Sequence, residues 1–167
     1  MFFNIASLIL IYSFFLTIIF SAGKIGNKYI FKFKNLGFGE FGILGFLIVY
    51  FVILVVHFFS SINDYFIYFT YFILVFYFLY NFKNSLTELK ISNYKFGIIF
   101  LIFILLSITN NHHDDLYIFQ LPIINYMQNF KIVFGLINLN DFIGQGHSFY
   151  EIMSFFKVPI YENRAYF

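Results

Sequence analysis

The sequence predicts an all-α membrane protein, with about four transmembrane helices followed by two amphipathic interfacial helices. Three observations predict it. The chain is 61% hydrophobic and 11% charged, whereas a soluble domain is roughly half apolar and a quarter charged. Up to Thr109 it is built from long uncharged runs separated by short polar or lysine-bearing links. Beyond Thr109 the apolar residues are no longer continuous and recur with a helical period.

Each run is measured against a hydrocarbon core about 30 Å thick, which a helix crosses at about 1.5 Å per residue. The first span, residues 5–22, runs from Ile5 to Ala22 without a charge. A cleaved signal peptide is the competing reading, but a basic leading region and a small-x-small cleavage site are missing. The second and third spans, 41–59 and 65–82, are joined by Ser60-Ser61-Ile62-Asn63-Asp64, long enough for a hairpin between antiparallel helices. The fourth, 94–109, rests on the shorter run Phe96 to Thr109 and has to borrow polar residues or sit tilted. Glu40 opens the second span, where a helix N-terminus favours an anion, and reads as structural. Gly42 and Gly45 permit close helix approach, although they are a weaker signal than a small-xxx-small motif.

Lysine placement sets the orientation, because short Lys/Arg-rich loops stay on the cytoplasmic side. Lys24, Lys28, Lys32 and Lys34 fall in one link, and Lys83, Lys90 and Lys95 in another. Both links are expected on the cytoplasmic side. The N-terminal tip and the Ser60–Asp64 link carry no Lys or Arg, so the N-terminus, that link and everything after Thr109 are expected outside. Lys131, Lys157 and Arg164 run against this rule, since they would lie on the outer face.

The chain thus divides into a transmembrane region, 1–110, and an outer-face loop with interfacial helices, 111–167. In the latter, Ile123, Tyr126, Met127 and Phe130 recur at helical spacing over Tyr117 to Lys131. Phe149, Ile152, Met153 and Phe156 do the same over Ser148 to Lys157. Ser148 and Glu151 have the spacing of a capping box. Both helices are too short and one-sided to span, so each is expected to lie along the interface with its apolar face down. Gly135 to His147, rich in Gly, Asn and Asp, reads as the loop between them.

Composition also excludes functions. The chain has no cysteine, which rules out disulfides and thiolate metal sites. Its net charge of +2, with lysines scattered between apolar runs, is no nucleic-acid footprint. Thirty phenylalanines and a basic set made almost wholly of lysine indicate A/T-rich codon bias, so abundant aromatics alone say little about function.

The densest polar cluster is Asn110-Asn111-His112-His113-Asp114-Asp115. An aspartate at the centre of a membrane helix costs roughly 2.5–3.5 kcal/mol, so this pair ends the fourth helix near Thr109. A solvated helix terminus would explain the cluster on its own. More follows it, however: Leu121-Pro122, then Val133-Phe134-Gly135-Leu136-Ile137-Asn138-Leu139-Asn140, then Ser148-Phe149-Tyr150. This ordered series, over residues 112–160, resembles the first outer loop of GT-C-type glycosyltransferases, in particular bacterial polytopic enzymes of surface polysaccharide synthesis.

The resemblance implies a donor sugar on a polyprenyl phosphate, reaching the site through the bilayer of the bacterial inner membrane. It implies that Asp114 or Asp115 acts as general base on the acceptor hydroxyl or orients it, with His112 and His113 beside the substrate. Two departures stand out. Tyr117-Ile118-Phe119-Gln120 lacks an auxiliary histidine expected after the acidic pair. The further spans that bind the lipid donor are also missing before Phe167, so the chain is expected to be the N-terminal part, completed by a C-terminal transmembrane region or a partner subunit.

These residues establish no cofactor, although a divalent metal is a competing use of the cluster. Adjacent residues point apart, so such a site would need His57 or His147 as a further ligand. His57 otherwise reads as an interfacial histidine at the outer end of the second span. The alternative function is a non-catalytic hydrophobic subunit of a transport or respiratory assembly. A proton or ion pathway calls for ionisable residues within spans, and none falls at a span centre.

Overall fold

The structure is a computed structural model that describes residues 2–83, 102, 121–132 and 147–156. Every regular element among the described residues is helical. In chain order these are α1 (Phe2–Gly26), a π-helical turn (Asn27–Phe31), α2 (Phe38–Phe59), α3 (Asp64–Tyr80), α4 (Leu121–Asn129) and α5 (His147–Phe156). The expected fourth span, 94–109, lies outside the described residues apart from Ile102, as does most of the expected loop Gly135 to His147.

Among the described residues, two helices are long and apolar enough to cross a membrane, Ala6–Phe31 and Phe38–Phe59, while Asp64–Tyr80 is apolar but shorter. Of the four expected spans, two meet that test, the third is the shorter Asp64–Tyr80, and the fourth lies outside the described residues. α1 and α2 bury only 33% and 28% of their most apolar stretch inside the protein. The core helix of a soluble protein would be mostly buried. Exposed Phe46, Leu47, Phe51, Phe72 and Phe76 leave broad apolar faces, which points to membrane association.

α1 runs past the expected end at Ala22 and through Lys24. The Lys24 ammonium lies over the Phe20 ring at 5.5 Å, so the stem stays on the apolar helix surface while the charge finds a partner. α2 is capped from within. Glu40 accepts the Gly37 N–H at 2.6 Å, the returning half of a capping box. At the start of α3, Asn63 Oδ1 accepts the Phe66 N–H at 3.0 Å, satisfying one of the free first-turn donors.

The chain forms two compact units, Met1–Val49 with Thr70–Asn111, and Tyr50–Phe69 with His112–Phe167. In the first unit, α1 meets the start of α2 backbone to backbone. A Cβ on Gly23 would collide with the Phe41 carbonyl, and one on Gly45 with the Ile19 carbonyl. Only glycine permits this approach. Gly42, by contrast, has nothing within 4 Å of such a Cβ, so of the two glycines marked by the sequence only Gly45 serves the crossing. Phe20 fills the space beside it, against Phe38 at 4.9 Å, Phe41 at 5.7 Å and Phe78 at 6.4 Å between ring centres.

In the second unit α4 and α5 pack against each other. Their buried faces differ from the expected ones. α4 buries Ile123, Ile124 and Met127, with Phe130 left exposed, and α5 buries Glu151, Ser154, Phe155 and Phe156. The apolar stripes that suggested two separate interfacial helices are partly used for contact within the unit, because α5 turns polar groups inward toward partners described next.

Candidate functional site

His112, His113, Asp114 and Asp115, the residues the sequence marks as substrate-binding and catalytic, lie outside the described residues. What the structure describes is how the segments after them are held. Four buried polar side chains occur among the described residues: Ser21, His57, Glu151 and Ser154. Ser21 Oγ has no hydrogen-bond partner. The other three converge in the second unit.

His57 occupies the last turn of α2 and is 1% exposed; Glu151, on α5, is 2% exposed. The His57 Nδ1 lies 2.9 Å from Glu151 Oε1, and Nε2 lies 3.0 Å from the Phe130 carbonyl oxygen. A carbonyl only accepts, so Nε2 carries a hydrogen and donates it. At 2.9 Å, Nδ1 and Oε1 also need a hydrogen between them, since two lone pairs would repel. The pair therefore shares one proton in a Nδ1···H···Oε1 contact, and is neutral as a whole wherever that proton resides. This is the form in which two ionisable groups are tolerated away from water.

The backbone reinforces the same point. The Ile132 N–H donates to the His57 carbonyl at 3.1 Å, and the Ile62 N–H donates to the Met127 carbonyl at 3.1 Å. Ser154 Oγ donates to the Glu151 carbonyl at 2.7 Å, and Gln128 Nε2 to the Ser154 carbonyl at 3.1 Å. The end of α2, the connection into α3, the end of α4 and the middle of α5 thus form one hydrogen-bonded cluster. Phe66 and Phe155 close it on the apolar side, with ring centres 6.3 Å apart.

Two expectations change here. His57 is a buried hub rather than an interfacial histidine, and with both nitrogens engaged it is not available as the extra metal ligand. Among the described residues no group of three metal-ligating side chains occurs. Glu151 gives its Oε1 to His57, while the side chain of Ser148, its expected capping-box partner, lies outside the described residues. A weak signal for both residues was present in the sequence, since each is the lone ionisable side chain within a stretch of apolar ones.

The chain matches the family described as Domain of unknown function (DUF8201) over residues 5–166. It belongs to that family. No curated protein and no solved structure matches it. The DUF8201 match takes in α1 to α5 as well as the acidic pair, so the His57–Glu151 cluster and the motif series fall within one family domain.

Proposed function

We propose that this DUF8201 chain is the N-terminal, acceptor-side part of a GT-C-type membrane glycosyltransferase. It transfers a sugar from a polyprenyl-phosphate donor to an acceptor on the outer face of a bacterial inner membrane. The observation that carries this reading is the ordered motif series from His113-Asp114-Asp115-Leu116 to Ser148-Phe149-Tyr150.

The proposal takes four crossings, with α1, α2 and α3 as the first three and residues 94–109 as the fourth. It keeps the lysine-bearing links inside and the Ser60–Asp64 link outside. The hydrogen bonds of Ile62 to Met127 and of Ile132 to His57 support it. They join the lysine-free end of α2 to the region that follows the acidic pair, so both belong on one side.

Asp114 or Asp115 takes the proton of the acceptor hydroxyl as its oxygen bonds to the anomeric carbon. The anomeric carbon–phosphate oxygen bond breaks, and polyprenyl phosphate leaves with the electron pair. The His57–Glu151 pair fastens α5 to the end of α2 and takes no part in the chemistry itself. The remaining spans, whether a C-terminal region or a partner subunit, bind the lipid donor.

A second reading, a non-catalytic subunit of a transport or respiratory assembly, is favoured by one observation: a buried proton-sharing pair at the end of an apolar helix. One experiment tests both. Membranes containing the complete protein, with Asp114→Asn and Asp115→Asn made separately at equal membrane levels, are assayed for transfer from a polyprenyl-phosphate sugar, with and without a metal chelator. The reading expects one variant to lose activity on the order of 10²–10⁴-fold, the range for a lost general base. Activity within a few-fold of wild type in both variants overturns it, and no transfer by the unaltered protein favours the second reading.

A further inference from the structure

The segment that leaves α1 differs from the rest of the described chain. The π-helical turn Asn27–Phe31 ends where the Lys32 N–H donates to the Asn27 carbonyl at 2.7 Å. The Asn27 side chain then holds the returning strand of the loop twice, donating to the Phe33 carbonyl at 3.1 Å and accepting the Phe33 N–H at 2.8 Å. Lys32 and Asn35 both sit in the left-handed region, with φ of 56° and 57°. A lysine is uncommon there, and such conformations persist where their surroundings over-determine them, often at binding sites.

This fixed loop displays two kinds of side chain. Tyr29, Ile30 and Phe33 are 64%, 66% and 55% exposed, and Phe31 stacks on Phe33 at 5.5 Å between ring centres. Lys28, Lys32 and Lys34 are exposed beside them. No acidic residue precedes Glu40 in the chain, and the Glu40 carboxylate accepts from Gly37. A basic residue at the end of α1 has an ordinary explanation in the helix dipole. That explanation does not reach Lys32 and Lys34, which lie beyond the helical turns.

We propose that residues 27–34 form a docking site for anionic phospholipid headgroups at the membrane surface, with the aromatic and aliphatic side chains seated in the interface and the three lysines on the lipid phosphates. The charge is complementary to an anionic leaflet, and the site takes in the last turn of a helix, Ala6–Phe31, long and apolar enough to cross. The site rests on membrane embedding of α1 but not on the glycosyltransferase reading.

The chain has no tryptophan, so Ile30→Trp supplies a lone reporter at an exposed position. The full chain with this change is reconstituted into phosphatidylcholine vesicles. These contain an equal minor fraction of either dibrominated phosphatidylglycerol or dibrominated phosphatidylcholine, and tryptophan quenching is compared. One lysine near an anionic surface is worth roughly a five-fold preference, so quenching by the anionic lipid should reflect enrichment of at least about that factor at low salt.

The preference should weaken as salt shortens the screening length, and it should disappear when Lys28→Gln, Lys32→Gln and Lys34→Gln are combined. These are exposed positions, and an unchanged helical circular dichroism spectrum shows that the variant still folds. Equal quenching by both lipids overturns the headgroup site while leaving membrane embedding intact. Quenching by neither overturns both.

Discussion

The buried pair is most directly tested by a double-mutant cycle, because the geometry fixes which group each substitution orphans. His57→Leu leaves the Glu151 carboxylate buried without its partner at a cost of about 3–5 kcal/mol, and removes the donor to the Phe130 carbonyl for about 1–3 kcal/mol more. Glu151→Leu is milder. The imidazole keeps its bond to Phe130, 3.0 Å away, and only Nδ1 is left unpaired, at about 1–3 kcal/mol. In the double variant the Phe130 carbonyl alone is orphaned, again about 1–3 kcal/mol. The double variant should therefore be more stable than His57→Leu, with a coupling energy of at least about 4 kcal/mol. Glu151→Gln discriminates further. Its amide can turn an N–H toward Nδ1 while Nε2 still serves Phe130, so the loss should stay within about 1 kcal/mol. Unfolding of the full chain in bicelles by added SDS, followed by far-ultraviolet circular dichroism, reads all four variants. Additive single losses, or a Gln variant as damaged as the Leu variant, would refute the shared proton.

Other consequences follow from the helix contacts. Gly45→Ala and Gly23→Ala each place a Cβ into a facing backbone carbonyl and should cost at least about 1–3 kcal/mol by the same assay. Gly42→Ala, facing open space, should be neutral or gain up to about 1 kcal/mol from helix propensity. Glu40→Ala removes the return bond to Gly37 and should cost about 0.5–2 kcal/mol, whereas Glu40→Gln, which still accepts, should cost less. For the orientation proposed above, single cysteines at Lys28 and Asn138 in a chain that has none should differ toward an impermeant thiol reagent, with only the second labelled in intact cells. The reverse pattern would overturn the topology.

The helices were legible because uncharged length is a strong signal. α2 and α3, Phe38–Phe59 and Asp64–Tyr80, fall on the apolar runs 41–59 and 65–82 to within a few residues. The end of α1 was misread at Ala22 because Gly23, Lys24 and Gly26 look like a break. Gly23 is instead the residue that lets α2 approach, and Lys24 has an aromatic partner. Both compensations are made by residues distant in sequence or on the neighbouring turn, and a run of hydropathy does not register them.

The site was less legible, for a related reason. Residue spacing along one helix assigned Glu151 to Ser148, three positions away, because local pairs are what a sequence displays. The partner that buries its Oε1 is 94 residues away, and no local spacing displays it. A histidine in the last turn of an apolar helix has water or headgroups as its default partners, so its isolation among apolar residues was too weak a signal to mark His57 as buried. The return of α5 and of the end of α4 to His57 supplies partners for both ring nitrogens of a residue that is buried. A carboxylate brought into that setting shares the proton that the imidazole needs. Each residue alone would be an unfavourable burial; together they make a neutral pair that fixes where α5 attaches to the end of α2.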